Sequence, residues 1–158
     1  MRRKDREITD MQQILNIIDK CKILRLGLFD KDYPYVVPLL YGYEYADSRL
    51  VFYMHSAKEG HRLVLIADNP LVCVELDGDV ELISGGEVPC MYGSSFASVI
   101  GRGMAEIVSD EQEKIKGLSL LMKHQTGRDF AITAEMASTV AVIRVTLNKF
   151  TAKARARG

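Results

Sequence analysis

The sequence predicts a mainly β chain with peripheral helices, in which about six antiparallel strands close into a small barrel. Three observations predict it. Apolar residues alternate with polar or small ones in several runs of strand length, the pattern of a half-buried strand. The early runs are joined by short turn-forming clusters, Asp30-Lys31-Asp32 and Ala46-Asp47-Ser48-Arg49, as hairpins require. Helical periodicity is confined to a few segments outside those runs. Antiparallel strands in this number hide their edges most simply by closing on themselves.

Taken in order, Thr9 or Asp10 caps a first helix running to about Lys20, with Met11, Ile14, Leu15, Ile17 and Ile18 on its apolar face. From Ile23 to Phe29 the residues alternate, Leu24, Leu26 and Leu28 on one face and Ile23, Arg25, Gly27 and Phe29 on the other. Tyr33 to Tyr45 is a long strand interrupted by Pro38. Proline donates nothing to a ladder, so the strand bulges there, lies at an edge, or leaves one side to a ligand. Leu50 to Met54 is a strand that feeds an amphipathic helix stopped by Asn69-Pro70. Leu71 to Leu76 is the next strand, ended by Asp77-Gly78-Asp79, with Val80 to Ile83 as a short extension. The loop from Ser84 to Cys90 carries glycines but no GxGxxG or GKS pattern, so it is no nucleotide fingerprint.

Phe96 to Val108 reads as a strand kinked at Gly101 and Gly103, a pair suited to bending a barrel or admitting another backbone. Ser109-Asp110-Glu111-Gln112 starts a helix whose stripe is Ile115, Leu118, Leu121 and Met122 and which ends near Thr126-Gly127. Thr133 or Ala134 opens a short helix through Met136, and Thr139 to Phe150 is the closing strand. The expected organisation is one domain over residues 1–150 followed by a frayed basic tail, 151–158.

Composition removes several function classes. Lysine plus arginine and aspartate plus glutamate number 21 each, so no global field draws the chain to nucleic acid or an anionic membrane. No apolar run approaches the roughly 20 residues that span a bilayer. The basic N-terminus has no hydrophobic segment behind it, which argues against a secretory signal and for a cytoplasmic protein. Cys21, Cys73 and Cys90 are odd in number and lack CxxC spacing, the pattern of neither a disulfide framework nor a metal site.

The stretch richest in chemistry is His55-Ser56-Ala57-Lys58-Glu59-Gly60-His61-Arg62, between the strand and the helix that starts beyond it. A strand that feeds a helix N-terminus aims unpaired N–H groups and the positive end of the dipole at one spot, an anion site in the making. Lys58 and Arg62 add charge there. The competing reading is a solvated turn that happens to be basic. His61 reads as a phosphate-side or surface residue, and His124, near a helix C-terminus, as a cation favouring the dipole. Tyr41, Tyr43 and Tyr45 share a strand face and read as core or interface.

Arg25-Leu26-Gly27-Leu28, Tyr35-Val36-Val37-Pro38-Leu39, Val51 through Gly60 and Asn69-Pro70-Leu71-Val72-Cys73 occur in a telling order. Together they resemble the pyridoxamine 5′-phosphate oxidase-like flavin-binding split-barrel proteins, and within them the nitroimidazole-resistance (Nim) branch. Ser98-Val99-Ile100-Gly101-Arg102-Gly103 is similar to that branch as well. The resemblance implies a six-stranded antiparallel split β-barrel and a homodimer with FMN at the subunit interface.

It also implies roles for residues. The phosphate-gripping trio of the oxidases falls on Gly60, His61 and Arg62, with Ser56 and Lys58 beside it. The strand Val37-Pro38-Leu39 would lie along the isoalloxazine ring, and Ser98, Val99 and Ile100 would approach from a neighbouring strand. His55 is the candidate catalytic residue near the redox centre, its alternative being a strand-end histidine bonded to a carbonyl.

The implied activity is flavin-dependent reduction of a small oxidised substrate, nitroaromatics among the candidates, with a reduced nicotinamide as electron donor. The alternatives are a non-catalytic flavin-binding protein, or a barrel that hosts haem or deazaflavin. Haem would draw its axial ligand from His55, His61 or His124.

Overall fold

The computed structural model of the protein describes residues 3–155. Asp10 accepts a hydrogen bond from the Gln13 N–H at 2.9 Å and starts helix α1, Met11–Lys20, which buries Ile14, Ile17 and Ile18. A two-residue strand, β1 (Glu7–Ile8), precedes it. Strand β2 (Ile23–Asp30) follows the expected alternation, with Leu24, Leu26 and Leu28 no more than 3% exposed. After it come β3 (Tyr33–Ala46), β4 (Arg49–Ser56), helix α2 (His61–Asp68), β5 (Leu71–Ile83) and β6 (Gly93–Ile107). Helices α3 (Glu111–Thr126) and α4 (Ala134–Ser138) and strand β7 (Ala141–Arg155) complete the chain.

The strands form one antiparallel sheet in the order β1-β7-β4-β3-β2-β5-β6, and β6 pairs back onto β7 to close the barrel. Its interior is filled by Leu24, Leu26, Tyr41, Leu50, Phe52, Val74, Leu76, Val99, Ile143 and Val145, each fully buried. Closure requires β6 and β7 to approach closely at a register shift between Arg102 and Gly103. A Cβ at Gly103 would stand 2.0 Å from the Thr146 carbonyl oxygen, so only glycine fits. Outside the barrel, α3 lies across β3, β4 and β7, capped by Asp110 and stopped by Gly127 in the left-handed conformation.

The structure departs from the sequence expectations in three places. Residues 151–155 are not a frayed tail but the end of β7, with Ala152 only 1% exposed and paired to both β1 and β6. Small side chains at alternate positions suit this crowded seam; residues 156–158 lie outside the described residues. The sheet has a seventh strand, β1, too short to show a period in sequence.

Asp77-Gly78-Asp79 does not end a strand. It lies within β5, where the register with β6 shifts between Gly78 and Glu81. The Ser95 hydroxyl holds that bulge together, donating to the Asp79 carbonyl (2.9 Å) and accepting from the Glu81 N–H (3.1 Å).

Candidate functional site at the parting of two strands

The site begins with a change of partner. From Tyr33 to Leu40, β3 pairs with β2; from Tyr41 onward it pairs with β4. The β3–β4 ladder stops at Tyr41↔Met54, and beyond it His55 and Ser56 pair with β7 alone. One edge of β3 from Tyr33 to Leu40 is thus unpaired, and the barrel is split there. Pro38 lies on this edge strand and is exposed, so the edge reading of the proline holds and the edge has no sheet partner among the described residues.

Along the open edge runs the linker to α2. His55 and Ser56 end β4 at the level where Leu40 leaves the ladder, and His61 packs edge-on against Tyr35, ring centroids 5.3 Å apart. The linker therefore spans the stretch of β3 that contains Val37, Pro38 and Leu39. Leu63, Leu65 and Ile66 anchor α2 beneath the barrel, against β2 and β6, and the Asn69 N–H closes the helix on the Leu65 carbonyl.

The helix start is built for an incoming acceptor. Gly60 is the N-cap at φ +147°, a conformation that L side chains rarely adopt, and nothing stands within 4 Å of where its Cβ would be. It offers no side-chain cap, and the His61 and Arg62 N–H groups have no hydrogen-bond partner among the described residues. Lys58 is exposed and Arg62 half-buried, both without an ion pair among the described residues. Ser56 is 6% exposed, and its hydroxyl makes no hydrogen bond among them. The His55 imidazole is exposed and bonds no carbonyl.

Not all the expected residues gather here. Val37, Pro38, Leu39, His55, Ser56, Lys58, Gly60, His61 and Arg62 share the parted region. Ser98, Val99 and Ile100 do not, because β6 lies between β5 and β7 and neighbours neither β3 nor β4. Ile100 is reached from Pro38 only through Arg25 and Glu75, across two intervening strands.

His124 is not a free cation favouring a dipole either. Its Nε2 is 2.8 Å from the Cys21 carbonyl oxygen and its ring packs on Tyr41, centroids 4.6 Å apart. Burial holds its pKa below the ordinary histidine value. Two residues the sequence did not single out complete the surroundings of α2: Asp30, 2.6 Å from His61 Nε2, and Tyr35. Asp30 and His61 are 31 residues apart, and no local pattern links them.

On the outer face of β3, β2, β5 and β6 lie Val36, Leu40, Ile23, Phe29, Leu71, Ile100 and Met104, each between 46% and 61% exposed. A cavity of about 270 Å³ opens at one end of this face, lined by Ile23, Arg25 and Asp77. A larger one of about 710 Å³ lies at its centre, lined by Gly27, Phe29, Val36, Leu71, Cys73 and Arg102 among others.

Comparison with known proteins gives this geometry a context. The sequence model described as pyridoxamine 5′-phosphate oxidase matches residues 10–154. A candidate 5-nitroimidazole antibiotic resistance protein from Bacteroides thetaiotaomicron is 30% identical, with 94% of this chain and 86% of that one aligned at a TM-score of 0.79. The flavocytochrome Anf3 from Azotobacter vinelandii shares the fold at 19% identity and a TM-score of 0.79, over 99% of this chain and 72% of that one. So does an FAD- and haem-binding protein from Mycobacterium smegmatis, at 14% identity and a TM-score of 0.79, over 96% and 74%. No match is found among the curated proteins. An antiparallel split barrel and a family match across nearly its whole length make the chain a member of the pyridoxamine 5′-phosphate oxidase family.

Proposed function

We propose that the protein binds FMN in a homodimer and uses it to reduce a small oxidised substrate, with electrons drawn from a reduced nicotinamide. The observation that carries this reading is the coincidence of an unpaired sheet edge with a helix N-terminus that has free N–H groups and unpaired cations beside it. The donor set suits a phosphate: two backbone N–H groups, Arg62, Lys58 and the Ser56 hydroxyl, with an open space at Gly60 that a side chain would partly fill. The edge at Val37-Pro38-Leu39 offers backbone polar groups, of which Pro38 can give only its carbonyl, to the polar rim of a flavin ring.

When bound, FMN supplies the transfer of reducing equivalents; the protein places it and controls its surroundings. His55, exposed at the end of β4, is the side chain positioned to hold or move a proton at an imidazole nitrogen. His61 and His124 have Nε2 engaged by Asp30 and by the Cys21 carbonyl, which leaves each only Nδ1 to ligate haem, whereas neither ring nitrogen of His55 has a partner among the described residues.

The outer face supports dimerisation, because its exposed apolar side chains exceed the scattered singletons of a monomer surface. A second copy seated there would cover the face and give Ser98 and Ile100 a route to a cofactor that they do not reach within one chain, while Val99, whose side chain fills the barrel interior, would meet it only through its backbone.

Two measurements test the reading. The absorption spectrum of the purified protein, with added FMN followed by fluorescence quenching, should show bound flavin; a Soret band instead would replace flavin with haem. Light scattering behind a sizing column should give twice the mass of one chain. Colourless protein that leaves FMN fluorescence unquenched overturns the proposal. Rapid bleaching of bound flavin by a reduced nicotinamide, reversed by an acceptor, separates an enzyme from a flavin carrier.

A further inference from the structure

We propose that Asp30 limits how tightly the α2 N-terminus holds the flavin phosphate, acting as a fixed negative charge presented beside it by His61; this rests on the FMN reading above. His61 is the first residue of α2, and its Nε2 lies 2.6 Å from Asp30 Oδ2. The edge of Tyr35 fixes the ring, with planes 85° apart. Asp30 ends β2 and has no other side-chain partner among the described residues.

Its carboxylate therefore sits one imidazole and one hydrogen bond from the free N–H groups of His61 and Arg62. That distance is comparable to the screening length of about 8 Å at physiological salt. The positive end of a helix attracts a carboxylate for the reason it attracts a phosphate, so the two anions compete for one field. His61 touches Asp30 from β2 and Tyr35 from β3, while Lys58, Glu59 and Arg62 flank it along the chain and Lys31 and Asp32 follow Asp30 in the turn. Among them Asp30 is the anion bonded to the helix's first side chain. It lowers affinity for the doubly charged phosphate without touching the uncharged flavin head, which makes the cofactor exchangeable.

The test compares FMN with riboflavin, which has the same ring and no phosphate, by fluorescence titration of the wild-type protein and Asp30→Asn. The variant should bind FMN about three- to tenfold more tightly at low salt, the size of a like-charge repulsion at a partly exposed site. Riboflavin affinity should stay unchanged. The gain should fade in about 1 M salt, where screening shortens to roughly 3 Å, a response that a purely structural role would not produce.

Equal changes for both flavins, or weaker FMN binding by Asp30→Asn, would overturn the proposal while leaving the FMN reading intact. Wild-type protein that binds neither flavin overturns both.

Discussion

Arg62 and His124 show how one residue's surroundings set its task. Arg62 lies in the first turn of a helix yet has no ion pair among the described residues, so its guanidinium is available to an incoming anion. Arg62→Ala should weaken FMN binding by about 1.5–3 kcal/mol, the range for a hydrogen bond to a charged group, and fluorescence titration measures it; unchanged affinity would remove Arg62 from the site. His124, by contrast, is already spoken for. Half-buried against Tyr41 and hydrogen-bonded to the Cys21 carbonyl, it has a folded-state pKa held below the ordinary histidine value by desolvation. The unfolded chain then binds more protons as the pH falls below that ordinary value, so the stability His124 contributes is present above it and lost on acidification. Urea midpoints measured between pH 7.5 and pH 5 should decline more steeply for the wild type than for His124→Gln, since the carboxylates common to both cancel in the comparison.

Among the elements, β6 and β7 carry the closure. Gly103→Ala would push a methyl group against the Thr146 carbonyl, a backbone atom that cannot step aside. The cost should be about 2–4 kcal/mol, beyond the usual overpacking range because strand must move from strand, and a thermal melt at fixed protein concentration measures it. A melting temperature matching the wild type would mean the seam is looser than its register shows. That glycine pair was legible as a place of close approach, as were the helix starts at Thr9 or Asp10 and at Ser109–Gln112, the stop near Thr126-Gly127 and the alternation of β2, because each rests on neighbours along the chain.

What was not legible depends on residues far apart. The bulge in β5 was hidden because Asp77-Gly78-Asp79 has turn composition, while the Ser95 hydroxyl bridges the bulge and the ladder to β6 resumes beyond it. The end of β7 was hidden because Ala152 and Ala154 are too small to register as an apolar face, though the seam selects them for that smallness. In the site, residues 55–62 were legible from their own composition. The separation of Ser98–Ile100 from them was not, since it follows from sheet order.

For the whole molecule, the cysteines report on assembly. Cys21 is 5% exposed, and burial pushes its thiol up to about 11, so it stays protonated and inert in the folded protein. Cys73 and Cys90 are exposed in the single chain, but they occupy different surfaces. Cys73 lines the 710 Å³ cavity in the outer face proposed to meet a second copy. Cys90 lies in the short turn Pro89–Met91, at the far end of the ribbon formed by β5 and β6. A thiol reagent added to concentrated native protein should therefore label one cysteine rapidly, identified as Cys90 by peptide mass. On dilution below the dimer dissociation constant, Cys73 should join it, with Cys21 reacting only in denaturant. Replacing Val36 with aspartate, a charge placed among exposed apolar neighbours on that face, should give the two-thiol pattern at every concentration, because burying it unpaired costs more than the contacts return. If Cys73 and Cys90 react at equal rates in concentrated wild-type protein, the second copy does not sit on this face, and Ser98 and Ile100 lose their route to the cofactor.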